Sequence, residues 1–261
     1  MSRDPNDLYD APALYDQFGT GVPGDEAWFA AAAKRAGKVL ELACGTGRVT
    51  IPMARTGARV TGLELSQSML EAAHFKLATE PAPVRKRVKL LQGDMRGFAL
   101  GQTFPLIVIP YRAFLHLLTT DDQKACLHSC REHLTRQGKL VINLFDPNLR
   151  ILGGNVDRDG TLLRKVHDVA TEDGGTLSVV SSRVTCPEEQ RFEEHWVFEK
   201  FSARGDSVWR KNHRISLRYC FRYEMEHLFE LCGLNVLKLE GGFAGEPYRH
   251  GAEQIWTVCR A

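Results

Sequence analysis

The first half of the chain alternates short apolar runs with longer segments in which apolar residues recur at helical spacing. The apolar runs predict strands at Val39–Leu42, Val60–Leu63, Val88–Leu91, Leu106–Ile109 and Lys139–Phe145. The periodic segments predict helices at Asp25–Ala36, Arg48–Arg55, Ser66–Thr79 and Asp121–Arg136, with Ser66 as an N-cap. Strands that alternate with helices in this way predict a parallel sheet covered by helices.

The pattern changes after Phe145. From about Thr161 to Tyr223 there is no long helical period, and the turn sequences EDGG and ARGD separate apolar segments. Four strands are predicted there, over 162–171, 175–185, 190–201 and 211–223. A helix over 223–233 and two more strands, over 235–241 and 253–260, complete the pattern. The simplest interpretation is a four-stranded antiparallel insertion in an α/β domain.

The segment VLELACGTGR, residues 39–48, predicts a ligand site. Gly45 and Gly47 permit a tight turn between a strand and a helix N-terminus, which is where α/β proteins hold nucleotide-like ligands. Thr50 stands where the dinucleotide fingerprint has its third glycine. Glu64 ends the next strand, where a carboxylate can accept both ribose hydroxyls, and Asp94 ends the third, where it can accept an adenine amino group.

The segments ELACGTG, GLELS, QGDM, PLIVIPY and GKLVINLF follow one another in an order and spacing that resembles the class I S-adenosylmethionine-dependent methyltransferases. The resemblance covers roughly Val39 to Asp146 and resumes near Tyr223. GLELSQSML and QGDMRGF are most similar to the small-molecule branch, which includes N-methyltransferases of amino sugars and other metabolites. It implies an α/β fold, a Rossmann-like seven-stranded sheet with the antiparallel insertion between strand 5 and the last helix. Residues 1–148 and 223–261 would form the cofactor domain, 1–36 being its lid and first helix, and 149–222 would roof the substrate.

The resemblance also implies S-adenosylmethionine as cofactor and a set of residues that contact it. These are Tyr15, Glu41, Ala43, Gly45, Gly47, Arg48, Glu64, Leu65, Asp94, Met95, Pro110 and Tyr111. Arg48 would pair with the methionine carboxylate, or else be an exposed cation in the first turn of a helix. Leu65 and Met95 would flank the adenine, or belong to the core. Tyr15, which is also a candidate catalytic residue, resembles the lid tyrosine of the family, or lies on a helix that merely packs on the domain.

Candidate residues for the methyl acceptor follow the fourth strand and lie in the insertion. They are Tyr111, Arg112, His116, Phe145, Trp196, Arg218, Tyr219 and Arg222. His116 is a candidate general base, or a hydrogen-bonded histidine on a partly buried helix. A strand from His213 to Tyr223 would place Tyr219 on one face and Arg218 and Arg222 on the other. We expect the aromatic face to pack toward the core and the arginines to steer an anionic acceptor, or else to be solvated.

Composition and charge exclude several classes of protein and partner. Lys and Arg number 34 against 32 Asp and Glu, a net charge of +2, which argues against nucleic acid as a partner. The sequence contains neither a membrane-length apolar run nor an apolar signal core, and its seven cysteines are typical of reduced thiols in a cytoplasmic enzyme. Cys126, Cys130 and His133 share a helix face, but an ordinary packing stripe runs beside them, so no metal site is predicted. A monomer or homodimer without a membrane partner is expected.

The sequence therefore predicts methyl transfer from S-adenosylmethionine to a small molecule, with an amine nitrogen preferred as acceptor. That preference depends on the resemblance and on the lack of an evident metal or strong base. Three alternatives stay open at this point: an O-methyltransferase with His116 as base, a non-catalytic cofactor-binding regulator, and an RNA- or protein-directed methyltransferase.

Overall fold

The computed structural model describes residues 7–149, 152 and 164–261. The chain forms two compact units. The sheet unit comprises Gly21–Pro147 and Tyr219–Ala261, and the insertion unit comprises Met1–Thr20 and Asn148–Arg218. The predicted grouping placed residues 1–36 with the cofactor domain, whereas the sheet unit begins at Gly21. Within the insertion unit, the short 3₁₀ helix Asp7–Asp10 packs against the strand Ser207–Arg218, and its Leu8 is buried.

The sheet unit contains one seven-stranded sheet. Its strands are β1 (Lys38–Leu42), β2 (Arg59–Glu64), β3 (Val88–Gln92), β4 (Phe104–Ile109), β5 (Leu134–Phe145), β10 (Leu234–Glu240) and β11 (Glu253–Arg260). They lie in the order β10-β11-β5-β4-β1-β2-β3. Strands β1 to β5 pair in parallel, while β11 runs antiparallel to both β5 and β10. The predicted seven-stranded α/β fold is therefore confirmed.

Helices occupy the connections between the strands. The chain forms α1 (Pro12–Phe18), α2 (Asp25–Ala36), α3 (Thr50–Arg55), α4 (Gln67–Ala78), α5 (Ala82–Arg85), α6 (Thr120–His133) and α7 (Arg222–Leu231). The predicted N-cap is confirmed, because Ser66 Oγ accepts a hydrogen bond from Met69 N at 3.3 Å. The predicted end of α6 at Arg136 is wrong. The helix stops at His133 because the buried Leu134 already pairs with Phe104 of β4.

Apolar residues fill the space between α2, α3 and the sheet. Phe29 of α2 and Met53 of α3 are fully buried with Val39, Val108 and their neighbours from the sheet. In the described part of the chain, no helix is long and apolar enough to cross a membrane.

The insertion unit contains a four-stranded antiparallel sheet. Its strands are β6 (Arg164–Ala170), β7 (Thr176–Cys186), β8 (Arg191–Phe201) and β9 (Ser207–Arg218), paired in that order. The prediction that β9 continues to Tyr223 is wrong. Arg218 pairs with Arg191, where β8 begins, so no partner strand remains beyond it. The chain then starts α7 at Arg222, and the Glu224 carboxylate accepts the Phe221 N–H at 3.3 Å.

Candidate active site

The carboxyl ends of β1, β2, β4 and β5 meet at one edge of the seven-stranded sheet. In open parallel sheets this edge is where ligands bind. Residues 43–48, 64–66 and 110–112 all follow strand ends there, so the fold brings together the predicted cofactor residues of the first, second and fourth strands. The loop that enters β11 reaches the same edge, because Glu253 lies opposite Phe145.

The turn after β1 has an unusual backbone. Ala43, Gly45 and Gly47 have φ angles of 54°, 56° and 85°, in the left-handed region. The turn is fixed by Cys44, whose N–H donates to Leu63 O at 3.1 Å and whose carbonyl accepts the Gly47 N–H at 2.9 Å. Among described residues, a Cβ added to Gly45 would meet only Met69 Cε within 4 Å. The turn therefore leaves open space beside its backbone.

The Glu64 carboxylate joins this turn to the end of β2. Its Oε2 accepts the Gly45 N–H at 2.8 Å, and its Oε1 accepts the Ser66 N–H at 2.9 Å. Burial raises the pKa of Glu64, and the backbone hydrogen bonds oppose that rise. The two carboxylate oxygens can accept about four hydrogen bonds together, so capacity for a ligand hydroxyl remains beside the backbone donors Gly45, Ser66 and Leu65. The neighbouring Leu65 is 62% exposed, which leaves an apolar surface beside the carboxylate.

Glu41 is a buried acid beneath the turn. Its side chain is 1% exposed, and Thr50 Oγ1 donates to its Oε2 at 2.5 Å. Burial raises the pKa of Glu41 to about 8, against the opposing effects of Thr50 and of the Arg48 charge. Glu41 is therefore mostly neutral at pH 7. Its visible role is to hold the first residue of α3 to β1, and its predicted contact with the cofactor stays a prediction.

Arg48 is held by an acid that the sequence reasoning missed. Its Nη1 and Nη2 donate to Asp25 Oδ1 and Oδ2 at 2.9 and 2.7 Å, and Asp25 is 2% exposed. Its guanidinium also lies 5.1 Å from the Tyr111 ring centroid. Because Asp25 takes both terminal nitrogens, the predicted pairing of Arg48 with the methionine carboxylate would have to share or replace that bidentate pair.

Tyr111 and Arg112 follow Pro110 at the end of β4 with φ angles of 48° and 68°. Consecutive non-glycine residues in this region are strained, and such strain concentrates at functional sites. Arg112 Nη2 donates to Glu253 Oε1 at 2.8 Å, and its guanidinium lies 5.5 Å from the Phe145 ring centroid. The Arg112–Glu253 pair thus connects the exit of β4 to the entry of β11.

Asp94 is occupied by a neighbouring cation. Arg96 donates from its backbone N to Oδ1 at 2.8 Å, and from Nε and Nη2 to Oδ2 at 2.8 and 2.6 Å. Burial raises the pKa of Asp94, but the hydrogen bonds from Arg96 outweigh it and the net shift is downward. Asp94 is therefore an ionised acceptor with Oδ1 less crowded than Oδ2. Met95 beside it is half-buried.

The remaining predicted residues are distributed over both units. In the sheet unit, His116 ends a short 3₁₀ helix, Ala113–His116, and Tyr219 is buried edge-on to Phe221. Arg222 lies in α7, not on a strand, and its Nε donates to Glu226 Oε1 at 2.8 Å. The predicted arginine row is therefore wrong at this position.

Three other predicted residues belong to the insertion unit. Tyr15 lies on α1, with its ring centroid 5.7 Å from that of Tyr9. Trp196 of β8 is stacked on Phe198 at 6.4 Å between centroids. Arg218 is 7% exposed rather than solvated, and its Nη2 donates to Gln190 Oε1 at 3.1 Å.

Known proteins are similar to this chain in sequence and in fold. A family model described as a methyltransferase domain matches residues 39–138. The chain is 31% identical over 210 residues to the dTDP-3-amino-3,4,6-trideoxy-alpha-D-glucopyranose N,N-dimethyltransferase of Streptomyces venezuelae, covering 80% of each chain. It is 29% identical to the dTDP-3-amino-3,6-dideoxy-alpha-D-glucopyranose N,N-dimethyltransferase of Streptomyces fradiae, covering 81% of this chain and 75% of that one. The solved CcbJ methyltransferase from Streptomyces caelestis matches with a TM-score of 0.80 and 26% identity, over 99% of this chain and 100% of that one.

The chain belongs to the class I S-adenosylmethionine-dependent methyltransferases. The predicted family, its small-molecule branch, the enzyme class and the cofactor are confirmed. Strands β1 to β5 run parallel, so the predicted cofactor loops after β1, β2 and β4 lie at a single edge of the sheet.

The methyltransferase carries a second buried acid that sequence reasoning missed. Asp146 directly follows β5 and is 5% exposed. Its Oδ1 accepts hydrogen bonds from Tyr248 Oη at 2.6 Å and Gln254 Nε2 at 2.8 Å, and its Oδ2 accepts Gly251 N at 2.8 Å. His250 Nδ1 lies 3.0 Å from Oδ2. The only feature of the sequence that could have indicated Asp146 was an acid followed by a proline at the end of a buried strand.

The cysteine and histidine face of α6 has an ordinary structural role in this methyltransferase. His133 accepts the Leu100 N–H at Nε2, at 3.1 Å, and its Nδ1 is 2.8 Å from Ser129 O, so both ring nitrogens are used. Cys126 and Cys130 are fully buried. Over the described ranges, no group of three or more His, Cys, Asp or Glu side chains is arranged to hold a metal ion.

Proposed function

We propose that this enzyme transfers the methyl group of S-adenosylmethionine to the amine nitrogen of a small molecule, of the class of nucleotide-linked amino sugars. The observation that carries the proposal is the similarity over 80% of both chains to an enzyme named for N,N-dimethylation of a dTDP-amino sugar. A second relative, similar over 81% of this chain, is named for the same reaction on a related amino sugar.

The residues at the sheet edge fit this cofactor. Glu64 would accept the ribose hydroxyls with the lone-pair capacity that its backbone donors Gly45, Ser66 and Leu65 leave available. The open space beside Gly45 would receive the ribose and methionine portion. Asp94 Oδ1 would accept the adenine amino group, and the exposed Leu65 would cover one face of the ring. Each of these acceptors and surfaces has the chemistry that its ligand group requires.

The bound cofactor supplies a sulfonium-activated methyl group, so the chain itself needs few catalytic side chains. Its task is to hold donor and acceptor in line and to keep the acceptor nitrogen unprotonated. The strained Tyr111–Arg112 segment, fixed by Arg48 on one side and by Glu253 through Arg112 on the other, gives a rigid wall at the end of β4.

Matched acceptors test the proposal. A dTDP-linked 3-amino-deoxyglucose and its 3-hydroxy counterpart differ only in the accepting atom. We expect incorporation of labelled methyl from S-adenosylmethionine into the amino sugar, with product masses for one or two added methyl groups, and none into the hydroxy sugar. Methylation of the hydroxy sugar alone would overturn the assignment of nitrogen.

The alternative reaction, methyl transfer to a hydroxyl oxygen, can be tested by substituting His116, which is half-buried after β4. A base that deprotonates a hydroxyl contributes about 10²–10⁴ in rate. His116→Ala would then lose that factor on the hydroxy acceptor, whereas an amine acceptor makes no such demand on His116.

A further inference from the structure

A histidine–aspartate pair stands at the same sheet edge as the cofactor loops. His250 Nδ1 is 3.0 Å from Asp146 Oδ2, and Asp146 is almost completely buried. The His250 side chain is 58% exposed, and in the described part of the chain its Nε2 has no hydrogen-bond partner. A carboxylate that holds Nδ1–H leaves Nε2 as the basic nitrogen and directs it outward.

The Asp146 carboxylate is well suited to orient this ring. It accepts Tyr248 Oη and Gln254 Nε2 on one oxygen and Gly251 N on the other, so its position is fixed by three donors besides His250. Gln254 is itself fixed, because its Oε1 accepts Trp256 Nε1 at 3.0 Å. Burial, followed by the hydrogen bond to Asp146, raises the pKa of Tyr248, which therefore remains a donor.

Residues close to the pair in sequence contact the β4 exit. Asp146 follows Phe145, whose ring lies 5.5 Å from the Arg112 guanidinium. Arg112 also pairs with Glu253, three residues after His250 in the loop that enters β11. The neighbours of Asp146 and His250 thus contact Arg112 in the Tyr111–Arg112 segment, which forms the proposed wall at the end of β4.

We propose that His250, oriented by Asp146, accepts the proton of the acceptor amine at the methyl-transfer site, an inference that rests on the proposed amine acceptor. An amine near electronegative oxygens has a pKa of about 8, like an α-amino group, and reaches the enzyme largely as an ammonium ion. The N–H bond breaks, its electron pair stays on nitrogen, and the proton bonds to Nε2. Because the ring is exposed, it then returns the proton to water.

The charges around His250 come from three elements. Asp146 lies after β5, Tyr248 and the exposed Arg249 precede the histidine in its own loop, and Arg222 of α7 lies 5.7 Å from the Tyr248 ring centroid. The Arg222 charge is shared with Glu226, 2.8 Å away. Asp146 is thus the only carboxylate in direct contact with the imidazole among the described residues.

A pH profile separates proton transfer from a structural role. At pH 7, His250→Gln should lower kcat/KM for the amino sugar about 10-fold, because only about one-tenth of an amine with a pKa of about 8 is already neutral at that pH. The loss should shrink to within about threefold by pH 9.5, where the amine is already neutral in solution. His128→Gln, an exposed histidine of α6, is the matched control and should stay within about twofold of wild type at every pH. An equal loss at all pH values, or no loss, would overturn the inference.

A measurement without turnover completes the test. Long-range ¹H–¹⁵N NMR of the imidazoles should show neutral His250 protonated on Nδ1 in the wild type, and Asp146→Asn should change that tautomer. Protonation on Nε2 in the wild type would overturn the inference directly. Absence of N-methylation by the wild type would instead defeat the proposed function, while the tautomer would still show whether Nε2 is available as a base. Calorimetry should show unchanged S-adenosylhomocysteine affinity in His250→Gln.

Discussion

Glu41 is the acid that gives the clearest quantitative prediction. Its carboxyl group is 1% exposed and has a pKa of about 8 in the folded protein, against an ordinary value of 4.5. Glu41→Gln keeps the shape and the oxygen that accepts the Thr50 hydroxyl, but cannot ionise. The substitution therefore isolates the free energy of ionising a carboxyl group beneath the glycine turn.

The sign follows from the two pKa values. Because the folded value is higher, the folded protein holds a proton that the unfolded chain releases. The stabilisation is fully present below pH 4.5 and is lost as pH rises through about 8. The complete loss amounts to about 5 kcal/mol at roughly 1.4 kcal/mol per pH unit. Between pH 5.5 and 8.5, the unfolding free energy of the wild type should fall by about 3 kcal/mol more than that of Glu41→Gln.

Urea unfolding followed by tryptophan fluorescence at several pH values measures this difference. Glu230→Gln, an exposed acid on α7, is the control and should follow the wild type. Parallel pH dependences for wild type and Glu41→Gln would refute the reasoning, because Glu41 would then ionise inside the folded protein at little cost.

Three further predictions concern the two units. Gly45→Val should abolish S-adenosylhomocysteine binding in calorimetry while lowering the unfolding free energy by only about 1–2 kcal/mol. The control is Gly57→Val, a glycine with a φ of 101° and open space around it, and this variant should bind the ligand normally. Asp25→Asn should lower the unfolding free energy by about 3–5 kcal/mol, because it breaks a buried ion pair. The control Glu26→Gln, whose carboxylate is 48% exposed, should lower it by less than about 1 kcal/mol. Equal urea midpoints for the two variants would contradict this prediction. Phe198→Ala, fully buried in the insertion sheet, should cost about 3–5 kcal/mol, and a smaller loss would mean that the site collapses around the cavity.

Local sequence signals predicted most of the sheet unit because several independent signals marked the same elements. Ser66 predicted the start of α4, Gly45 and Gly47 predicted the tight turn after β1, and apolar runs located the parallel strands to within about five residues. The end of β9 was predicted incorrectly because Tyr219 to Tyr223 continue the alternation that precedes them. The strand ends where its partner β8 begins, and a sequence period carries no information about a partner's end.

Residues of the candidate site were predicted from the sequence only where they belong to a short local motif. Glu64 ends β2 and Gly45 follows β1; both were predicted as cofactor residues, and the structure joins them by a 2.8 Å hydrogen bond. Asp25 and Asp146 were missed because their partners are distant in sequence. His250 was missed for the same reason, since only the antiparallel pairing of β11 with β5 brings its loop to Asp146.

The central claim is that the edge of the sheet at Glu64 binds the ribose of the methyl donor. Calorimetry of wild type and Glu64→Ala with S-adenosylhomocysteine and with its 2′,3′-dideoxy analogue tests it most directly, with Glu71→Ala of α4 as the exposed control. Hydrogen bonds to a charged group contribute about 1.5–3 kcal/mol, so Glu64→Ala should weaken the natural ligand about 10- to 100-fold and leave the dideoxy analogue nearly unaffected. Equal losses for both ligands, or no loss for either, would contradict the account.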